Sequence, residues 1–451
     1  MRAESLIGLT VELYESVLAD ARPPDAIART FFRARKFLGS HDRAFISRAT
    51  YGMLRYKSLL EELSRSAQQT DGVTIPATLG LIIAYLAAVP EENAGNIPED
   101  FYDGAAAFAQ CKRAEIEKIF SEIAAERTRN SQAPNEAQQE EDGQAIARIA
   151  RVHAYPEWMV RRFIATLGAI GAEALCRAMN IEAPVTIRVN TLKATREECA
   201  KALSQENIIT RHGEYSPDAL TALKRLNIFA TKTFREGMFE MQDEGSQIVS
   251  RVCDPHPAWK VMDACAGAGG KTLHIAALMH NRGEIFALVQ NPFQKEETSK
   301  RLRRSGAQNA RVFLPSEFAE RKKRWVGAMN LVLLDAPCSG SGTIRRNPIA
   351  KWRIAEDKIA GYAEQQYTIL QENAPFVRSG GILVYATCSV FRQENEEVVE
   401  MFLREHPEFK LSPFLYPPPT DKASIISDGF LKLYPHIHNT DGFFAAALTR
   451  T

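Results

Sequence analysis

The sequence predicts an α/β protein whose C-terminal half is a doubly wound parallel sheet, preceded by an all-helical domain and a small α/β module. Three observations carry this. From about residue 241 onward, short apolar runs alternate with glycine turns and helical stretches, the pattern of a parallel sheet covered by helices on both faces. Residues 1–127 instead repeat apolar residues at helical spacing alone. Between the two, TRNSQAPNEAQQEEDGQ (128–144) has almost no large apolar residue and ends in an acidic cluster, so it cannot bury a core and reads as a flexible linker.

A chain of 451 residues, 45% of them hydrophobic, has material for two or three domains with real cores. Lys and Arg total 56 against 55 for Asp and Glu, so a nucleic-acid surface has to be a local patch. The seven cysteines contain no CxxC pair, which argues against a zinc module or a disulfide framework and for a reducing compartment. The N-terminal MRAESLIGLTVELYESV is amphipathic and carries acids, unlike a signal peptide. The longest apolar run, Thr78 to Val89, is too short to cross a bilayer. A cytoplasmic monomer with no membrane, metal or DNA partner is expected.

In order along the chain, helices are expected over Leu6 to Leu18, Ile27 to Phe37, Phe45 to Leu63, Leu79 to Ala88 and Phe108 to Ile123, with Ser40 as a cap. Arg33, Arg35, Lys36, Arg43, Arg48, Arg55 and Lys57 make one corner basic, either a solvated helix face or an RNA contact. Residues 145–240 mix signals. AYPEWMVRRFIATLG opens a helix, and VTIRVNTLK alternates as one strand, with Arg188, Asn190 and Lys193 on one face as a wet surface or a phosphate stripe. In 241–451 the strands expected are Lys260 to Cys265, Glu284 to Val289, Ala310 to Leu314, Leu331 to Leu334, Gly381 to Ala386 and a final GFFAAALTR.

The first of these strands runs into MDACAGAGGKT, which turns through Gly267, Gly269 and Gly270 and enters a helix. Glycines there let backbone amides approach a ligand, and the helix N-terminus favours negative charge. A phosphate-binding GxxxxGK[ST] fails at Cys265 and a dinucleotide GxGxxG fails at Thr272. The loop suits a smaller ligand, such as the methionine carboxylate of S-adenosylmethionine beside Lys271.

LVLLDAPCSGSG (331–342) and GILVYATCS (381–389) each begin as a buried strand and break into turn residues carrying a cysteine. Ligands of an open parallel sheet bind beyond the carboxyl ends of its strands, so Asp335, Cys338 and Cys388 at two exits roughly 5 Å apart form one candidate site. A lone buried cysteine is usually a small hydrophobe, the reading kept for Cys265; two at equivalent exits point to chemistry. A thiolate added to carbon 6 of cytosine makes carbon 5 nucleophilic enough to take a methyl group from a sulfonium.

DACAGAGGKT, LLDAPCSGSGTIRRNP and VYATCSVFRQENEE, in that order, resemble the RsmB/NOP (Sun) family of RNA cytosine carbon-5 methyltransferases. GMFEMQDEGSQ, Pro435 and DGFFAA resemble its flanking motifs, and FFRARKFLGSHDRAFISRATYGMLRY resembles the NusB-like RNA-binding domain that precedes it. The resemblance implies a Rossmann-like methyltransferase sheet over 241–451, an ancillary RNA-binding module over 145–240 and a NusB-like domain over 1–127. It implies Cys388 as nucleophile, Cys338 as the residue assisting release and Asp335 on the cytosine edge. S-adenosylmethionine would be held by Cys265, Ala266, Gly267, Ala268, Gly269, Gly270, Lys271 and Asp335, and the substrate would be 16S ribosomal RNA. DNA cytosine methyltransferases share the PC motif but lack the TC nucleophile. The basic residues flanking the cleft then gain a use: Arg345, Arg346, Lys351 and Arg353 of RRNPIAKWR directly follow the site and are expected to contact RNA, as are Lys300 to Arg304 and Arg321 to Arg324, with Trp325 and Trp352 stacking bases.

Four positions depart from the family pattern. The carboxylate expected at the second strand's end, for the donor ribose, falls on Val289, followed by Gln290 and Asn291; a second acid falls on Ser316, beside Glu317; two more fall on Asn330 and Ile349. Leaving ribose hydroxyls unpaired costs about 1 to 3 kcal/mol of donor binding. The alternative to an active enzyme is therefore an RNA-binding or assembly protein that has lost the donor.

Overall fold

The computed structural model describes every residue except 72–74, 90–96, 132–141, 415 and 417–421. Most of the expected linker thus lies outside the described residues; helices end at Ser131 before it and begin at Asp142 after it. The chain divides into two compact units, residues 1–180 with 346–353, and residues 181–345 with 354–451.

The first unit is all helix, as its spacing predicts, but two of the expected helices are each two. Phe45 to Leu63 breaks at Tyr56, where ψ moves to 18°, between the helices Ser40–Arg55 and Lys57–Asp71. Phe108 to Ile123 breaks too: Phe108 lies in the helix Phe101–Ala109, stopped by Gln110 in the left-handed region at φ 54°, and the next helix starts at Arg113. Apolar periodicity runs through both breaks because the two helices of each pair face the same core, around Ile7, Leu54, Leu60, Ile82 and Ile116. The cap at Ser40 is Gly39 instead, whose N–H donates to Asp42 Oδ2 at 3.2 Å. By their contacts, helices Asp142–His153 and Glu157–Asn180 fall in this unit.

Residues 346–353 belong to the helical unit although the sequence places them deep in the other half. Ile349 is buried in the helical core, which accounts for an apolar residue where the family pattern has an acid. Trp352 Nε1 donates to Leu54 O at 2.7 Å, and Arg353 Nη2 donates to Val17 O and Asp20 O at 2.6 and 2.7 Å, filling carbonyls at the end of the first helix. Lys351 is fully buried, with Nζ 3.0 Å from Asn180 Oδ1 and 3.9 Å from the centre of the Tyr155 ring.

In the second unit, β1 (Thr186–Val189), β2 (Thr210–His212), β3 (Ala219–Ala222) and β4 (Phe239–Met241) form an antiparallel sheet in the order β2-β3-β1-β4. Only β1 is visible in the sequence, because the others are three or four residues long and give too few alternations to register. The large sheet contains β5 (Lys260–Asp263), β6 (Glu284–Leu288), β7 (Ala310–Phe313), β8 (Met329–Asp335), β9 (Val377–Thr387), β10 (Phe409–Ser412), β11 (Ile426–Ser427), β12 (Phe430–Leu433) and β13 (Phe443–Arg450). Its order is β11-β12-β13-β9-β8-β5-β6-β7, with β10 on β13. Strands β5 to β9 are parallel, and β13 inserts antiparallel beside β9. The chain winds outward from β5 to β7, then restarts at β8 on the other side of β5. That reversal opens a crevice above the carboxyl ends of β5 and β8.

Burial pushes the Lys351 ammonium well below its ordinary pKa. Between the folded value and the unfolded 10.5 the unfolded chain binds more protons, so stability rises with pH across that window. Lys351→Met is expected to stabilise the protein at pH 7 by roughly 1 to 3 kcal/mol and to flatten the rise with pH below 10.5, measured by urea denaturation across pH.

Candidate active site

The site is set by the pairing of β8 with β9, in which Asp335 lies opposite Ala386. The two chains then leave the sheet side by side as APCSGSG and TCS. Gly342 N donates to Cys388 O at 2.9 Å. Gly342 has to be glycine, since a Cβ there would meet Gly442 O at 2.3 Å and Cys388 O at 2.8 Å. The consequence is that Cys338 Sγ and Cys388 Sγ are 3.3 Å apart, both half-buried. The hydrogen bond Cys338 donates to Cys388, burial and the nearby Cys388 and Glu394 charges push the Cys338 thiol well above its ordinary pKa. Cys338 therefore keeps its proton at neutral pH.

Asp335, at the end of β8, accepts from Lys271 Nζ at 2.6 Å. Burial works against the lysine's charge, but the Asp335 pairing outweighs it and leaves its pKa above the ordinary value. Cys388 is among the groups that Lys271 senses electrostatically. Lysine, aspartate and both thiols thus share one neighbourhood at three strand exits.

The glycine loop after β5 reverses through Gly267 at φ 52° and Gly269 at φ 78°, a region open to glycine at no steric cost. Three of its carbonyls are pinned from outside: Thr298 Oγ1 donates to Gly267 O at 3.1 Å, Arg301 Nη1 to Ala268 O, and Arg188 Nη1 to Gly270 O at 2.6 Å. Arg301 and Arg304 are in turn paired with the buried Glu240. These bonds explain Arg188, which is buried and forms no phosphate stripe. Its strand mates are equally committed: Asn190 Nδ2 donates to Gly237 O and Ser305 O, and Lys193 Nζ to Glu236 O and Arg304 O.

Other basic residues read from the sequence as RNA contacts are also used internally. Arg345 is 4% exposed and donates to Asp441 Oδ1 at 2.8 Å and Asn439 O at 3.0 Å. Lys351 and Arg353 bind inside the helical unit, as described above, and Arg346 is half-buried. Trp325 is packed among Phe286, Phe313 and Phe318, and Arg55 is buried. Arg33, Lys36 and Lys300 keep exposed side chains.

Strand ends one place out from the glycine loop are apolar. Val289 is 2% exposed, in a cluster with Ala266, Ala287, Val312 and Leu314. Asn291 does not stand in for a carboxylate there, because its Oδ1 caps the next helix by accepting from Gln294 N at 2.9 Å. Glu317 is likewise occupied, by Leu314 N at 2.7 Å and Lys295 Nζ at 2.5 Å. Asn330 accepts from Lys260 N at 3.0 Å and so joins β5 to β8. The cradle of Gly267 to Lys271 with Asp335 fits the charged methionine end of a sulfonium donor; the wall at Val289 offers its ribose no carboxylate. Among the described residues, no group of three or more His, Cys, Asp or Glu could hold a metal ion, and no helix is long and apolar enough to cross a membrane.

Sequence reasoning missed the carboxylate beneath the two cysteines. Glu394 is fully buried and reaches both loops, and its signal was the QENEE stretch that follows TCS. Asp263, also fully buried, accepts from Thr272 Oγ1 at 2.6 Å on one oxygen, and its other oxygen has no hydrogen-bond partner.

Residues 250–449 match the family model described as 16S rRNA methyltransferase RsmB/F, and residues 155–228 match the ferredoxin-like domain of RsmF/B-like methyltransferases. The probable ribosomal RNA small subunit methyltransferase B of Bacillus subtilis is 36% identical over 310 residues, 68% of this chain and 68% of that one. The 25S rRNA (cytosine-C(5))-methyltransferase nop2 of Schizosaccharomyces pombe is 30% identical over 330 residues, 68% of this chain and 53% of that one. The crystal structure of PH0851 superposes with a TM-score of 0.75 at 25% identity, covering 100% of this chain and 99% of the other.

Burial raises the Asp263 carboxyl from 3.8 to about 6. Between those values the folded state binds more protons than the unfolded chain, so stability falls as pH rises from about 4 to about 6. Asp263→Asn should remove this dependence and stabilise the protein at pH 7 by roughly 2 to 3 kcal/mol, as read from thermal unfolding at a series of pH values.

Proposed function

The chain belongs to the RsmB/F family of ribosomal RNA methyltransferases, and from that premise we propose that it methylates carbon 5 of a cytosine in small-subunit ribosomal RNA. S-adenosylmethionine is the donor, and Cys388 is the covalent nucleophile. The observation that carries this is the 3.3 Å approach of the Cys338 and Cys388 sulfurs beside the Lys271–Asp335 pair. No packing role needs two thiols at that distance in a polar turn, whereas attack and release at one ring carbon do.

The division of labour follows from charge. Cys388 attacks as the thiolate, with the Lys271 ammonium and the S–H of Cys338 in the same pocket. Its sulfur bonds to carbon 6 while Asp335 holds the polar edge of the base, and the electron density gathers at carbon 5. The Cys265 to Lys271 loop and Asp335 would hold S-adenosylmethionine, which would supply an electrophilic methyl group: carbon 5 takes the methyl as its bond to the sulfonium sulfur breaks, and the donor leaves as a neutral thioether. Loss of the carbon 5 proton to water then returns an electron pair to the ring, and the bond from carbon 6 to Cys388 breaks. The departing thiolate accepts from the Cys338 S–H again, so one donor serves both ends of the covalent step. RNA has to present the base out of its stack for these groups to reach it.

Incubation with transcribed small-subunit ribosomal RNA and methyl-labelled donor should label cytosine carbon 5, and Cys388→Ala should abolish the label. Donor binding without any label at cytosine would sink the assignment, and RNA binding without donor binding would leave an RNA-holding protein. Val289→Asp restores a ribose acceptor and should tighten donor binding about 10-fold by calorimetry, a readout independent of turnover.

A further inference from the structure

Glu394 takes no part in the steps above, yet its carboxylate collects bonds from both cysteine loops. Oε1 accepts from Ser339 N at 2.7 Å and from Gln366 Nε2 at 3.1 Å. Oε2 accepts from Ser339 Oγ at 2.5 Å and from Ser389 Oγ at 2.6 Å. Ser339 follows Cys338 directly, and Ser389 follows Cys388. The carboxylate is therefore one residue removed from each thiol.

Its own placement is fixed by the same strand. Tyr385 Oη donates to the Glu394 carbonyl, and the next residue, Asn395, accepts from Thr387 Oγ1 at 2.6 Å and donates to Ser389 O at 3.0 Å. Ser341 Oγ completes the frame, accepting from Val390 N at 3.0 Å and lying 3.0 Å from Ser389 Oγ. Burying a carboxylate costs several kcal/mol unless its lone pairs are filled, and here the partners that fill them come from the two loops and from Gln366 of the neighbouring helix. Apolar side chains would join two loops at lower desolvation cost. What a carboxylate adds is direction: each oxygen accepts from named donors along its lone pairs, which fixes the two loops relative to each other.

We propose that Glu394 is a positioning residue for the methyl transfer, a clasp that holds the Cys338 loop against the Cys388 loop so that release can follow attack. The proposal rests on the covalent reading above. Freed from the clasp, the Cys338 loop drifts, the S–H no longer meets the departing sulfur, and the methylated base stays bound to Cys388. The defect should thus imitate removal of Cys338 itself, although Glu394 carries no sulfur.

The test compares wild type, Cys338→Ala, Glu394→Ala and Ser339→Ala with transcribed small-subunit ribosomal RNA and labelled S-adenosylmethionine. Label in free RNA is separated on a denaturing gel from label in RNA still attached to protein. Glu394→Ala is expected to lose about 100-fold in released product, the scale of a misplacement near 1 Å, while its attached RNA stays within about 5-fold of Cys338→Ala. Ser339→Ala, which keeps the backbone bond, should lose about 10-fold in release with a melting temperature near wild type, and it decides the matter if Glu394→Ala does not fold. Attached and released RNA falling together in both variants, or release undiminished, would overturn the clasp. Failure of Cys338→Ala to retain any RNA would instead overturn the covalent reading on which it rests.

Discussion

Parallel pairing between β8 and β9 is the constraint from which the rest of the site follows. Once Asp335 is opposite Ala386, the residues just past each strand end have to share a small volume. Whatever chemistry they carry is thereby brought together without either loop needing an independent fold. The price is crowding, visible at Gly342, where the loops come too close for a side chain. The same crowding makes the inter-sulfur distance a property of the sheet and its two loops, not of the cysteine rotamers alone.

Around that pairing the protein is built in supporting tiers. The glycine loop is not soft: Thr298, Arg301 and Arg188 hold its carbonyls, and the buried Glu240 holds Arg301. Arg188 comes from β1 and Glu240 from β4 of the small sheet, so the antiparallel module is tied to the glycine loop both directly and through Arg301. This gives the module a mechanical task inside the enzyme in addition to any contact with substrate.

The fold and the pair of thiols were legible in the sequence because both rest on local signals: apolar runs that end in turn residues, and cysteines at equivalent ends. The destiny of the basic residues was not, because charge along a chain does not say what it will face after folding. Arg345 meets Asp441 across 96 residues of sequence, and nothing near RRNP announces that partner. Lys351 is the sharper case, an amine that periodicity would leave in solvent and that the structure buries beside Asn180 and Tyr155. Glu394 was hidden for the opposite reason: in QENEE it sits among other acids and amides, and only the fold distinguishes the one that reaches both cysteine loops.

The eight residues from Arg346 to Arg353 have an implication for how the protein can be divided. They leave the methyltransferase half one residue after Arg345, and their side chains complete the interior of the helical unit. A gene fragment starting after Asn180 would encode a catalytic half trailing Ile349 and Trp352 into water, with no core to receive them. The interior of the N-terminal helices is accordingly finished by residues the ribosome adds some two hundred positions after the helices themselves.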